Sequence, residues 1–237
     1  MAWSWTPERS DDPELMDAPG LPEAEVEDAY RTLRRVNKHL GNLRAIRREF
    51  RRFLAEDGEG PALLTVLDVG SGSGDIPLDL RGRAPGRLAA VIALDRDPTA
   101  VASARRRGGA VVQGDALRLP FGARSIDLVT AVKFAHHFHG PSLALLLAEM
   151  ARVARRRVVV LDIRRHLLAY WGFRAWSLIF TRNRLVRHDG PLSVLRGFTA
   201  GELLDATASI PGYSWHVRPY LGFQLALAGR REGPDPA

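Results

Sequence analysis

The sequence predicts an α/β protein built on a parallel, doubly wound sheet. Short apolar runs rich in strand formers alternate with helical patterns through the middle of the chain. The first run, Leu63 to Val69, is near-continuous rather than alternating, as a strand buried on both faces requires. It ends abruptly in Gly70, Gly72 and Gly74, a tight turn into a helix. Strands separated by helices run parallel, so the pattern implies crossover units and not a meander. No internal repeat or low-complexity tract interrupts it.

A chain of 237 residues has room for one large domain or two small ones, with a substantial core. Its apolar content of 46% and charged content of 26% are those of a soluble globular protein. There are no cysteines, which excludes disulfides and thiolate metal sites and is compatible with a reducing cytosol. No metal site is expected. The first twenty residues carry Glu8, Asp11, Asp12, Glu14 and Asp17, and no basic segment followed by an apolar one, so they do not read as a secretory signal. No apolar run approaches the ~20 residues of a membrane span. The expected location is cytoplasmic. The net charge of +7 is almost entirely arginine; Lys38 and Lys133 are the only lysines. Basic balance raises the question of nucleic acid. Most segments mix arginine with acids, and no basic stripe interleaved with aromatics appears, so a solvated surface is the expectation and no specific nucleic acid partner is.

Taken in order, residues 1–21 are acidic and contain Pro7, Pro13 and Pro19, the composition of an irregular arm. From Pro22 to about Glu56 the residues Val26, Tyr30, Leu33, Val36, Leu40, Leu43, Ile46, Phe50 and Phe53 recur at steps of three and four, one apolar face of a helix. Gly41 divides it in two. Asp57 to Pro61 break it before the first strand, so the organisation is a helical cap over 1–60 and the main domain over 61–237. Asp75 to Arg83 read as a helix. Strands follow at Leu88–Leu94, Ala110–Gln113, Ile126–Val132 and Val158–Leu161, with helices from Pro98 and Pro141 between them. Arg164 to about 197 break the alternation with an aromatic helix around Tyr170 to Phe180, followed by the segment Arg187-His188-Asp189-Gly190-Pro191. Thr199 with Glu202 three residues later forms a capping box. Tyr213 to Arg218 and Phe223 to Ala228 read as an antiparallel pair, and the tail from Arg230 is expected to fray.

Four segments, in order, carry a family resemblance. They are Val66-Leu67-Asp68-Val69-Gly70-Ser71-Gly72-Ser73-Gly74, Asp95 closing Ala93-Leu94-Asp95-Arg96-Asp97, Gly114-Asp115-Ala116 before Leu119-Pro120-Phe121, and Ser125 to Val129 followed by Phe134-Ala135-His136-His137-Phe138. Over roughly Leu63 to Ala228 the chain resembles the class I S-adenosylmethionine (SAM) methyltransferases. The glycine spacing, G-x-G-x-G, is not the dinucleotide fingerprint, which disfavours a nicotinamide dehydrogenase. The resemblance implies a Rossmann-like, mostly parallel seven-stranded sheet with an antiparallel strand near the C-terminus, a helical N-terminal cap and a helical lid insertion. It implies SAM as cofactor. Asp68, Gly70, Gly72 and Gly74 would cradle its methionine end, Asp95 the ribose hydroxyls, and Asp115 with Ala116 the adenine. Asp95 could instead cap the helix from Pro98, Asp115 could be a turn residue, and Arg96 lies over the nucleoside or in solvent. Lys133, at the end of the fourth strand, either joins this site or snorkels. One departure is visible: Arg155-Arg156-Arg157 stand where the family has a proline and glycines before the fifth strand.

Methyl transfer asks a protein to align the acceptor with the methyl and exclude water. An oxygen acceptor must also lose a proton. His136 and His137, just beyond the fourth strand, are the candidate acid–base pair, with a structural role as the alternative. His166 and His188 lie nearer the insertion. Tyr170, Trp171, Phe173 and Trp176, with His188, are the expected walls of an acceptor pocket, unless the aromatic helix only covers the sheet edge. The insertion resembles the lid of methyltransferases acting on quinones and phenolic or polyketide products of secondary metabolism. The expected reaction is O-methylation of a hydrophobic phenol or enol. The rivals are an RNA or protein methyltransferase and a non-catalytic SAM-binding partner subunit. Against the first, the fourth strand ends Val132-Lys133-Phe134 and not in the Asn-Pro-Pro-Tyr type sequence used on planar amino groups. The sequence names neither the acceptor nor the oligomeric state.

Overall fold

The computed structural model describes residues 5–18, 20–57 and 63–233. The breaker predicted at 57–61 falls mainly on residues 58–62, outside the described residues, as does the end of the tail, 234–237. The arm at the N-terminus is irregular except for one 3-10 turn, Leu15–Asp17. Helix α1 (Glu23–His39) starts after Pro22 with Glu23 and Glu25 in its first turn and ends with Lys38 and His39, each charge complementing the helix dipole. Gly41, at φ +90°, makes the reversal into α2 (Asn42–Asp57) that a side chain would resist.

The remaining elements alternate as the sequence requires: β1 (Leu64–Val69), α3 (Asp75–Arg81), β2 (Leu88–Asp95), α4 (Pro98–Arg106), β3 (Ala110–Gln113), β4 (Ile126–Val132), α5 (Gly140–Val153) and β5 (Ala154–Ile163). Then come α6 (Leu167–Phe180), α7 (Arg184–Arg196), α8 (Ala200–Asp205), β6 (Tyr213–Tyr220) and β7 (Gln224–Arg231). One sheet takes them all in the order β3-β2-β1-β4-β5-β7-β6. Strands β1 to β5 pair in parallel, and β7 runs antiparallel to both β5 and β6. The order reverses between β1 and β4, the switch point where open α/β sheets bind ligands beyond the strands' carboxyl ends.

Strand parity divides the core. Leu67, Val69, Val129, Val158, Val160, Leu225 and Leu227 face α5 through Leu143, Leu146, Leu147 and Met150. Leu64, Val66, Leu128, Val159, Leu161, Ala226 and Ala228 face the other way, onto Ile46, Phe50 and Phe53 of α2 and Ile76 and Leu80 of α3. Helix α2 therefore belongs to the sheet's own core, while α1 lies over the strand ends.

One local expectation is corrected. Arg155, Arg156 and Arg157 are not in a turn: α5 ends at Val153 and β5 begins at Ala154. The carbonyls of Ala151 and Ala154 at this junction accept from the Tyr213 hydroxyl (2.9 and 3.1 Å) and from Arg231 (2.7 and 3.0 Å), so the chain changes direction without a proline or glycine. Residues 187–191, to which the sequence pattern assigns no element, lie within α7, a helix with Pro191 inside it. Gly190 is there for packing. A Cβ on it would fall 1.9 Å from the Phe173 ring, so the glycine lets α6 and α7 close on each other.

Candidate active site

The glycine loop leaves β1 with Gly70, Gly72 and Gly74 all at positive φ, 65°, 53° and 74°. Two elements hold it from opposite sides. The Phe134 ring, just past β4, lies on Gly70, where a Cβ would be 2.1 Å from its Cγ. Helix α1 lies on the rest: Tyr30 covers Gly72, Arg34 donates to Ser73 Oγ (3.2 Å) and Asn37 to Asp75 Oδ2 (2.7 Å). These positions follow one another by four and three residues, so one helix face grips the loop. The Ser71 hydroxyl is buried here with no hydrogen-bond partner. A buried polar atom without a partner beside a side-chain-free backbone is what a polar ligand would complete.

The strand-end acids separate by role. Asp95, on β2, accepts the backbone N–H of Gly72 (2.7 Å) on one oxygen and that of Asp97 (3.0 Å) on the other. Capping of α4 belongs to Asp97, which accepts from Thr99 and Ala100 and also from the Tyr30 hydroxyl (2.9 Å). Asp95 is thus free of the capping duty, and each of its oxygens keeps a lone pair for a second donor. Burial raises its carboxyl above the ordinary range, against the backbone donors that lower it. Asp68 points away from solvent and accepts from the Thr130 hydroxyl (2.7 Å), and burial pushes its carboxyl up to about 8. Asp115 is exposed and accepts from Leu117 N–H (2.9 Å) in its own turn, with Ala116 buried beside it.

The second cluster lies at the ends of β4 and β5. Asp162, fully buried on β5, accepts the backbone N–H of His136 (3.1 Å) and pairs with its Nδ1 (2.8 Å). On the other side of the ring, Nε2 faces Glu14 Oε1 at 3.5 Å. Burial alone would lower the His136 pKa; the two carboxylates outweigh it and raise it to about 9. Burial would likewise raise Asp162, but His136 and Lys133 hold it down to about 2. His137 stacks on His136 with ring centroids 4.6 Å apart, takes Asp17 at Nδ1 (3.1 Å) and faces Glu14 with Nε2 (3.8 Å). Among the described residues Glu14, His136 and His137 bring three metal-ligating atoms within 4.8 Å. A protonated His136 between two carboxylates already supplies the positive charge that Glu14 needs.

Lys133 has φ +56°, uncommon for a residue with a side chain, and its N–H donates to Leu161 O (2.8 Å). Burial lowers its ammonium to about 8, with Asp162 acting against that. Its charge acts on Asp162, and the next residue, Phe134, is the ring that lies on Gly70.

Glu14 and Asp17 come from the N-terminal arm, which is bound across the strand ends. Asp189 of α7 accepts the N–H groups of Leu15 (2.8 Å) and Met16 (2.9 Å) with its two oxygens. Arg9 donates to the carbonyls of His136 (2.9 Å) and Phe138 (3.1 Å), and the buried Arg196 donates to His136 O and Asp12 O (3.3 and 2.8 Å). Asp17 also pairs with Arg96 (3.3 Å), so Arg96 is drawn to the arm and remains largely exposed.

The structure thus gathers Asp68, Gly70, Gly72, Gly74, Asp95, Lys133, His136 and His137 at the switch point. The aromatic residues are divided. Phe173 turns inward onto Gly190, packing with Tyr30, Val26, Leu185 and Val186. Tyr170 and Trp176 are half-buried. Trp171 is 60% exposed on the outer face of α6, so it does not form the pocket wall expected of it. His188 is half-exposed and pairs with Asp189. His166 caps α6 through Leu168 N–H (3.1 Å). Sequence reasoning missed Glu14, Asp17, Asp162, Asp189 and Arg196. Only Asp162 carried a signal: like Asp95, it closes an apolar strand run.

Comparison with known proteins agrees with this geometry. Residues 67–161 match the family model described as a methyltransferase domain. The match takes in the glycine loop, Asp95, Lys133 and both histidines. The chain is 35% identical over 116 residues to a demethylmenaquinone methyltransferase of Deinococcus radiodurans, covering 45% of each chain. It is 37% identical over 105 residues to one of Thermus thermophilus, covering 41% of this chain and 46% of the relative. It therefore spans less than half the length of these curated relatives. In fold it is similar to a plantazolicin methyltransferase (TM-score 0.65, 13% identity, 89% of this chain and 97% of the other). It is also similar to the magnesium protoporphyrin IX methyltransferase of Synechocystis (TM-score 0.59, 13% identity, 91% and 100%). SAM fits the residues present: the loop's bare backbone, the unpartnered Ser71 hydroxyl and the uncommitted lone pairs of Asp95 lie together at the ends of β1 and β2.

Proposed function

We propose that this protein transfers a methyl group from SAM to an oxygen of a hydrophobic small molecule, a phenol or enol of quinone or polyketide type. The observation that carries the cofactor is the bond from Gly72 N–H to Asp95, which ties the glycine loop to the strand-end acid beside the unpartnered Ser71 hydroxyl. When bound, SAM supplies an electrophilic methyl on a positively charged sulfur, which departs as a neutral thioether. The chain's own residues do the rest. Gly70, Gly72, Gly74 and Asp68 receive the amino-acid end, Asp95 the ribose hydroxyls, and Asp115 and Ala116 the adenine. Lys133 sits between this site and the acceptor.

His136 and His137 divide the work on the acceptor. Asp162 at Nδ1 fixes the His136 ring, and its Nε2–H is a charge-assisted donor aimed at an anionic oxygen, the place Glu14 holds now. An ionised phenol or enol suits that donor. His137 presents Nε2 as the base that takes the hydroxyl proton first, and the oxyanion so formed, held by the His136 Nε2–H, makes the oxygen–carbon bond. Both relatives named above are methyltransferases of a quinone precursor by name, which supports an apolar ring acceptor.

Calorimetry with SAM tests the cofactor half. Asp95→Ala removes the ribose acceptor and is expected to weaken SAM by about 2–3 kcal/mol with the fold retained. Unchanged SAM affinity in a folded variant would refute the assignment.

A further inference from the structure

We propose that the outer face of α6 is a docking surface for an anionic phospholipid bilayer. The helix departs from the usual amphipathic plan. Leu168, Trp171, Gly172, Ala175, Leu178 and Ile179 fall on one stripe, spaced by three, four and seven residues, and that stripe faces outward. Leu168 is 54% exposed, Trp171 60%, Leu178 56% and Ile179 73%. The inward side is occupied by Phe173, packed on Gly190, and by the buried Ser177. The helix has thus already met the core, and the outward stripe is surplus to the fold. Soluble surfaces carry such residues singly; a contiguous stripe marks an interaction site.

Charge identifies the partner. From Ile163 to His188 the sequence contains six arginines and no acid. Three of these arginines are engaged: Arg165 with Glu202, Arg184 with Glu25, and Arg187 with the carbonyls of Thr181 and Leu178. Arg164, Arg174 and Arg182 are exposed and have no ion pair among the described residues. They stand before, beside and after the stripe, and Arg174 lies over the Trp171 ring (6.0 Å). An apolar stripe holding Trp, Leu and Ile, framed by unpaired guanidinium groups, matches the requirements of the acyl–headgroup boundary, and the carboxylates near its C-terminal end, Glu25 and Asp28, are paired with Arg184 and Arg31. A protein partner of ordinary composition would call for mixed charge around the stripe. The contact is at the membrane surface, because no helix among the described residues is long and apolar enough to cross a membrane. The inference stands apart from the reaction proposed above; if both hold, an apolar acceptor is collected where it dissolves.

Sedimentation with vesicles is the test, using phosphatidylcholine alone and phosphatidylcholine with about one third phosphatidylglycerol. The protein should sediment with the anionic vesicles, far less with the neutral ones, and binding should fall with added salt. Ile179→Glu and Leu178→Glu should each reduce binding by at least about tenfold, and Arg182→Ser by about fivefold. All three positions are exposed, so circular dichroism melting should match the parent. Calorimetric SAM affinity, measured in parallel, should not move, which separates failure here from failure of the cofactor site. Absence of binding to the anionic vesicles at low salt would overturn the proposal. So would equal binding by Ile179→Glu, or a dimer in lipid-free solution that Ile179→Glu dissociates, which would make the stripe a contact between two copies.

Discussion

Asp162→Asn should flatten the pH dependence of stability between pH 6.5 and 8. In the parent, the Asp162 carboxylate takes both the N–H and Nδ1 of the buried His136, with Glu14 at Nε2. Burial opposes the charge on this ring, yet its pKa stands at about 9, above the ordinary value of 6.5. A histidine raised in the folded state stabilises fully below its unfolded pKa and loses that contribution as pH rises through the folded one. The span from 6.5 to 9 corresponds to about 3 kcal/mol at most, of which about 2 kcal/mol should be lost by pH 8. Lys133, lowered to about 8 by burial, titrates with the opposite sign at higher pH, so the comparison is read below that point. The amide of the variant carries no charge, leaving Glu14 as the only carboxylate on the ring. The loss over the same interval should shrink to less than about 1 kcal/mol, on top of a general destabilisation of about 3 kcal/mol from the broken buried pair. Urea unfolding of both proteins across this interval measures the difference, in which groups remote from Asp162 cancel; Lys133, which loses the Asp162 charge, titrates lower in the variant and adds to the flattening. Parallel pH profiles would show that Asp162 does not hold the His136 charge, and the role given to the Nε2 donor would fall with it.

Three further outcomes follow from the geometry. Gly70→Ala places a Cβ 2.1 Å from the Phe134 ring at φ +65°, so it should lower stability by about 1–3 kcal/mol and weaken SAM; adding Phe134→Ala should return part of the SAM affinity. Phe173→Ala, which empties the packing against Gly190, should cost about 3 kcal/mol in urea unfolding, whereas Trp171→Ala on the outer face should stay within about 0.5 kcal/mol of the parent. Asp189→Asn leaves one acceptor oxygen for the Leu15 and Met16 N–H groups, so hydrogen exchange at these two amides should accelerate about tenfold, with the melting temperature of the domain little changed.

The parts of the site legible in the sequence are those built from neighbouring residues. Gly70, Gly72 and Gly74 follow an apolar strand, and Asp95 closes another, so local pattern alone placed both at the switch point. The capping box of Thr199 and Glu202 formed as read, because its two hydrogen bonds span three residues (2.7 and 3.2 Å). The second cluster depends on contacts far apart in sequence. Glu14 reaches His136 and Asp17 reaches His137 across more than a hundred residues, and no period or spacing encodes that. Gly190 and Pro191 show the opposite case. They punctuate a chain locally, but here a tertiary contact, the Phe173 ring, is what demands the glycine. Arg155 to Arg157 misled because the turn they seemed to replace is held by Tyr213 and Arg231, side chains from the end of the chain.

The way the arm is bound says which part of the site can open. Among its described residues only Glu14 is buried, while Leu15 and Met16 are half-buried. Its hold is polar: the Leu15 and Met16 N–H groups on Asp189, Arg9 on the carbonyls of His136 and Phe138, Arg196 on Asp12 O, and Arg165 on Pro7 O (2.9 Å). Each such bond contributes about 1 kcal/mol net, because water replaces it when it breaks. Releasing the arm therefore costs a few kcal/mol from these bonds, and it also bares the half-buried Leu15 and Met16, which pack on Val26, Leu185 and Val186. Releasing α2, by contrast, would bare Ile46, Phe50 and Phe53, all nearly fully buried against the sheet. Glu14 sits against the Nε2 where the proposed acceptor oxygen belongs, so acceptor entry and arm release are one event. The cofactor cradle is gripped by α1 through Tyr30, Arg34 and Asn37 and is independent of Glu14. The site is thus divided mechanically as well as chemically: a cofactor half fixed to the sheet, and an acceptor half whose cover carries the carboxylate that the acceptor must displace.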